Sequence, residues 1–212
     1  MGSSKFIELQ IEHGGAQAGT RLRHRTMKNP VYLASLGAAA LLAACTTPPR
    51  PPLPTVQAVD LERYYGTWYE IARLPNSFQA MCASDTQALY RPQGKEVAVV
   101  NRCRTADSTI KQADGIAKVV AGSHGAKLRV SFFRPFYGDY WILALDPGYR
   151  WVLVGEPGRK YAWILARQPK LDEATLEALL NRAAALGFDR QAFLRTPHAG
   201  GALTPMAPAS GE

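Results

Sequence analysis

Eight short segments, 67–74, 84–91, 96–104, 110–121, 127–133, 139–145, 150–155 and 160–167, read as β-strands that follow one another directly. The links between them are hairpin-short and carry turn signals such as PQGK, SHGA, DPGY and EPGR. Strands joined in this way pair as an antiparallel up-and-down meander. Closing an eight-stranded meander removes its two exposed edges and leaves an interior that holds side chains or one small ligand. The expected fold is therefore all-β, an eight-stranded antiparallel up-and-down barrel. One helix pattern follows. Asp172 suits its N-cap, and Leu176, Leu179, Leu180, Ala183 and Leu186 recur at helical spacing. Gly187 can end it in the left-handed conformation, with Phe188 folding back. This C-terminal α-helix is expected to pack outside the barrel wall.

The stretch YYGTWYEIARLPNSF, residues 64–78, sharpens the expectation. Strand alternation puts Trp68, Glu70 and Ala72 on one face and Tyr69, Ile71 and Arg73 on the other. An indole and a carboxylate on one face fit a cavity wall better than a packed core.

Residues 21–28, RLRHRTMK, are basic, and no charge occurs from Val31 to Cys45. That run is too short to span a bilayer, which takes roughly 20 residues. A charged start, an apolar middle and small residues before a cleavage point make an export signal. Leu42-Ala43-Ala44-Cys45 resembles the bacterial lipobox, in which cleavage before the cysteine leaves its thiol to carry diacylglycerol. Thr46 after the cysteine points to the outer membrane, with the domain on its periplasmic leaflet, by the same resemblance. Residues 1–26 are polar and mixed in charge, so Met27 is an alternative start. From Thr46 to Val59 the chain has five prolines in fourteen residues. As an extended polyproline spacer of about 3.1 Å per residue it would reach roughly 40 Å. The expected organisation is an extension and lipoprotein signal peptide at 1–44, a lipidated Cys45 and linker at 45–59, the barrel domain at 60–195 and a disordered tail at 196–212.

The formal charge is +8, of which the first 44 residues, with five Lys/Arg and two Asp/Glu, account for +3. The remaining positive charges are scattered, with no basic run to follow a phosphate backbone, so nucleic acid is not an expected partner.

Gly66-Thr67-Trp68 resembles the GxW motif of the lipocalins, and GTWYEIARLP, SFFRPFYGDYWILALD and YAWILARQP are similar to the bacterial and apolipoprotein D branch of that family. Asp146 and Tyr149 match the second motif, TDxxY, although Leu145 stands where Thr is usual, and Arg167 matches the arginine of the third. The likeness covers about 58–195. It implies that Arg167 lies across Trp68 and closes the barrel, a cation–π contact of roughly 0.5–2 kcal/mol. It also implies a pocket lined by Tyr90, Asn101, Tyr140 and Trp163, with Phe132 on the inward face of its strand and Glu70 one step above the closure. Trp141 alternates with Tyr140, and one of the two must point outward. Once Cys45 is assigned to lipid, Cys82 and Cys103 remain, and in an exported protein they are expected to pair.

The resemblance implies a membrane-anchored protein that stores or carries a fatty acid or lysophospholipid, with no cofactor and no metal, and leaves a homodimer open. Lys111 and Arg134 are candidate cations for its head group. A lipid-modifying enzyme on the same barrel is the alternative, but only His124 and His198 follow Cys45, no GxSxG occurs, and Glu70 has no evident carboxylate partner. An envelope interaction module without a ligand is the third reading.

Overall fold

The computed structural model describes residues 50–198 and Leu203, within the second of two compact units, 48–212. The expected signal peptide, Cys45 and the rest of the expected tail lie outside the described residues. The strands are β1 (Gly66–Arg73), β2 (Ser84–Gln93), β3 (Glu96–Arg104), β4 (Ile110–Val119), β5 (Lys127–Phe133), β6 (Phe136–Leu145), β7 (Trp151–Gly155) and β8 (Ala162–Ala166). Each pairs antiparallel with the next, and β1 pairs with both β8 and β2, so the sheet closes. The expected eight-stranded barrel is what forms.

Two apolar layers follow from the alternation. Val97, Val99, Leu128, Ile142, Val152 and Leu165 share an inner cluster with Trp68. The opposite faces of β1 and β6–β8 supply Ile71, Leu143, Leu153 and Ile164 to an outer cluster. The second helix, α2 (Glu173–Ala185), covers that outer cluster with Leu176, Leu179, Leu180 and Ala183. The Asp172 side chain accepts from the Thr175 N–H, which caps its start. Gly187 has φ +88°, and Phe188 then turns back against Gly155, where an added Cβ would lie 2.5 Å from the ring.

Three features differ from the sequence expectation. The segment 50–59 is no free stalk: Leu53 is buried against the outer cluster, Val56 N–H donates to Ile142, Val59 N–H to His124, and Arg159 donates to the Pro51 carbonyl. Apolar Leu53, Val56 and Val59 among the prolines give this stretch something to bury, which a purely compositional reading overlooks. A short helix, α1 (Leu61–Tyr64), capped by Asp60, then leads into β1. Third, the chain is not released at Thr196. A ninth strand, β9 (Leu194–Arg195), pairs with Ala72 and Arg73 of β1, Thr196 N–H donates to Ile71, and Asp85 N–H donates to Pro197. It occupies the part of β1 that β2 leaves, because β2 pairs with β1 only from Gly66 to Tyr69.

Cys82 and Cys103 are joined, with Cα atoms 5.5 Å apart, tying the link after β1 to the end of β3. No helix among the described residues is long and apolar enough to cross a membrane.

Candidate functional site

The floor is built around Trp68, which is fully buried. The Arg167 guanidinium lies 3.9 Å from its ring centroid. Arg167 also donates to the carbonyls of Thr67, Arg63 and Tyr64, and the Trp68 indole N–H donates to Tyr64 at 2.8 Å. One guanidinium thus satisfies the end of α1 and seals the barrel beneath the indole. Gly66 at φ +96° lets the chain enter β1 close to that guanidinium. Asp146 and Tyr149 serve the same end. The Asp146 carboxylate holds its own turn through the Gly148 and Arg150 N–H groups and the Arg150 side chain, which keeps its pKa down at about 2. The Tyr149 hydroxyl accepts from the Asp60 N–H, and Arg63 stacks on the Tyr149 ring.

Tyr90 and Tyr140, expected on the pocket wall, belong to this floor. The Tyr140 hydroxyl bonds those of Tyr64 at 2.7 Å and Tyr90 at 3.0 Å. Burial raises all three phenols, Tyr90 to about 12, so they stay protonated and act as a neutral network. Tyr64 carried no recognisable signal in the sequence, because its role depends on α1 folding under the barrel. The choice between Tyr140 and Trp141 is settled: Trp141 packs with the outer cluster, under the Lys127 ammonium at 4.0 Å.

Higher in the barrel, strict alternation fails. A bulge between Glu70 and Ala72 shifts the β1–β8 register, so Glu70 faces Leu165, Ala72 faces Ile164 and Arg73 faces Trp163. Leu165 and Trp163 belong to the inner layer and Ile164 to the outer. Ala72 therefore turns outward and Arg73 inward, the reverse of the expectation for both. Glu70, 2% exposed, gains an ion pair with Arg73 Nε at 3.2 Å. It also accepts from Gln79 Nε2 at 2.8 Å and from Thr196 Oγ1 at 2.5 Å. Burial dominates its titration and raises its pKa despite these donors. The 3₁₀ turn Ser77–Gln79 brings Gln79 to Glu70, and its amide oxygen accepts from the Trp163 indole N–H at 2.9 Å. Phe78 packs over Tyr161 and Trp163.

Between floor and mouth lies Asn101, paired in register with Ala88 and Ala113. Its side-chain carbonyl is buried with no hydrogen-bond partner. Phe132 is set apart from the others: its ring rests on Gly115 and is 45% exposed, near the β5–β6 hairpin. Glu70, Trp163 and Asn101 are thus inner-face residues of the upper barrel, while Tyr90 and Tyr140 seal its base. Sequence reading missed Arg73, Gln79 and Thr196, which meet Glu70 only through a bulge, a turn and a strand from the far end of the chain.

This closed barrel, sealed at one end by an arginine-capped tryptophan and polar toward the other, is the architecture of a ligand-holding β-barrel. Residues 59–198 match the family described as the lipocalin-like domain, and the chain belongs to the lipocalin family. It is 38% identical over 165 residues to the outer membrane lipoprotein Blc of Escherichia coli K12, covering 76% of this chain and 93% of that protein. It is 34% identical over 148 residues to apolipoprotein D of Macaca fascicularis, covering 66% and 75%. Insecticyanin of the tobacco hornworm Manduca sexta, 23% identical, shares the fold with a TM-score of 0.58 over 72% of this chain and 87% of its own.

Proposed function

We propose that this protein is a membrane-anchored carrier that holds a single-chain amphiphile, a fatty acid or lysophospholipid, in the cell envelope. The observation that carries the reading is the buried Glu70–Arg73 pair, above an apolar interior and a sealed aromatic floor. An acyl chain gains by filling such an interior, at about 0.8 kcal/mol per buried CH₂. A polar head would then meet Glu70, Arg73 and Asn101, where a few placed polar groups set orientation. The ligand is bound and released unchanged; no covalent step is asked of Glu70.

The anchor in this reading is acylated Cys45, and the outer membrane location is supported by the names of the bacterial relatives. Labelled palmitate should enter the chain and be lost on Cys45→Ser. Native mass spectrometry of residues 45–212 with fatty acids and lysolipids tests the cargo and reads whether a homodimer forms. A retained lipid of unaltered mass is the expected result. Affinity weaker than about 100 μM for every lipid, or a chemically changed lipid, would overturn it.

A further inference from the structure

Large exposed apolar side chains are normally scattered over a protein surface. Here they gather at one end. The meander puts the β1–β2, β3–β4, β5–β6 and β7–β8 links at the end opposite the Trp68–Arg167 floor. Phe78 and Met81 project from the first link, Ile110 opens β4 after the second, and Phe132, Phe133 and Phe136 flank the third. Leu194, opposite Arg73, is exposed at the same end. Among the described residues Val119 is the one such side chain at the floor end. Phe133 and Phe136 are 75% and 71% exposed, and their rings stack side by side 6.2 Å apart without covering each other.

The charges at this end complement an anionic surface. Arg134, at the hairpin tip between the two rings, has 64% of its side chain exposed although it reaches Glu96 at 3.4 Å. Lys111 and Lys160 are exposed beside the second and fourth links. Of the acids near these links, Asp107 is turned onto Thr105 and Thr109, Glu156 accepts from the Gly158 and Lys160 N–H groups, and the exposed Asp114 accepts from Gln112 Nε2.

We infer that the mouth end docks onto an anionic lipid bilayer, with Phe133 and Phe136 entering the head-group boundary and Arg134, Lys111 and Lys160 among the phosphates. Aromatic rings flanked by cations are the combination that partitions into such an interface. The choice of a lipid surface rests on the carrier reading: a lipid passing from bilayer to barrel through a docked mouth avoids exposing its chain to water. Docking would orient the barrel, which an anchor at a single point does not do.

The test is flotation of residues 45–212 carrying Cys45→Ser, which contain the whole bonded body, with phosphatidylcholine vesicles with and without phosphatidylglycerol. The parent should float with the anionic vesicles and be released by salt. Phe133→Ser/Phe136→Ser should weaken partitioning by about tenfold or more with an unchanged near-ultraviolet circular dichroism spectrum. Arg134→Gln/Lys160→Gln should weaken it several-fold on anionic vesicles alone, and decides the matter should the serine variant lose its fold. Undiminished flotation of the variants overturns the inference. So does a parent that stays in solution as a dimer which the phenylalanine changes dissolve, since the patch would then cover a second copy of this chain. Flotation needs no bound ligand, so failure of the carrier reading is seen separately, as loss of lipid retention.

Discussion

At Arg167 a single guanidinium donates to three carbonyls while covering the Trp68 ring. A lysine keeps the charge but offers neither the flat face nor the fork of donors. Arg167→Lys should therefore cost about 2–4 kcal/mol in urea unfolding, while lipid affinity of the remaining folded protein stays the same. Glu70 behaves differently. Its folded pKa lies above the ordinary carboxylate value, so the folded state binds more protons than the unfolded one over the interval between the two values. Stability from this group accordingly falls as pH rises through that interval. Glu70→Gln should flatten this part of the profile, measured as urea midpoints from about pH 4 to 8. Asp146 has the opposite sign. Its pKa is depressed to about 2, so its contribution is present above the ordinary aspartate value and lost as pH drops toward 2. Arg150 is mostly solvated, which keeps that contribution small.

Among the elements, the two ends of the body do work that their composition conceals. The α1 segment brings Tyr64 under the barrel, and Tyr64→Phe should cost about 1 kcal/mol by removing its bond to Tyr140. At the other end, β9 adds Thr196 to the Glu70 cluster, and the buried His198 donates to the Glu70 carbonyl at 2.8 Å. Arg195 pairs with Glu173, tying β9 to α2. Ending the chain at Arg195 should lower stability by about 1–3 kcal/mol and speed hydrogen exchange at the Thr196 partner region of β1. It should also weaken lipid binding, because Glu70 loses one of its donors. The strands themselves were legible because alternation and turn residues are local. β1 was legible only up to Glu70, since a bulge has no distinctive residue in EIAR.

For the whole molecule, the Cys82–Cys103 bond joins segments 21 residues apart and pins the link that carries Phe78 and Gln79. Reduction should lower stability by roughly 3 kcal/mol in the loop-entropy account and expose two thiols to titration. The strap at 50–59 shortens the reach of any anchor upstream of it, since Pro51, Val56 and Val59 are already bonded to the barrel. With the proposed anchor at Cys45, the barrel would sit closer to the membrane than one lifted roughly 40 Å away on a free stalk.

The meander, its closure, the outer helix, the Trp68–Arg167 floor and the candidate cysteine pair could all be read from residues and motifs, because each depends on local periodicity or on a short pattern. The tertiary structure alone decided which residues meet above that floor. Arg73 turns inward through a one-residue bulge, Thr196 arrives from 126 positions away, and the Tyr140 hydroxyl joins those of Tyr64 and Tyr90. These contacts are fixed by register and by chain closure, which have no signature within any single segment.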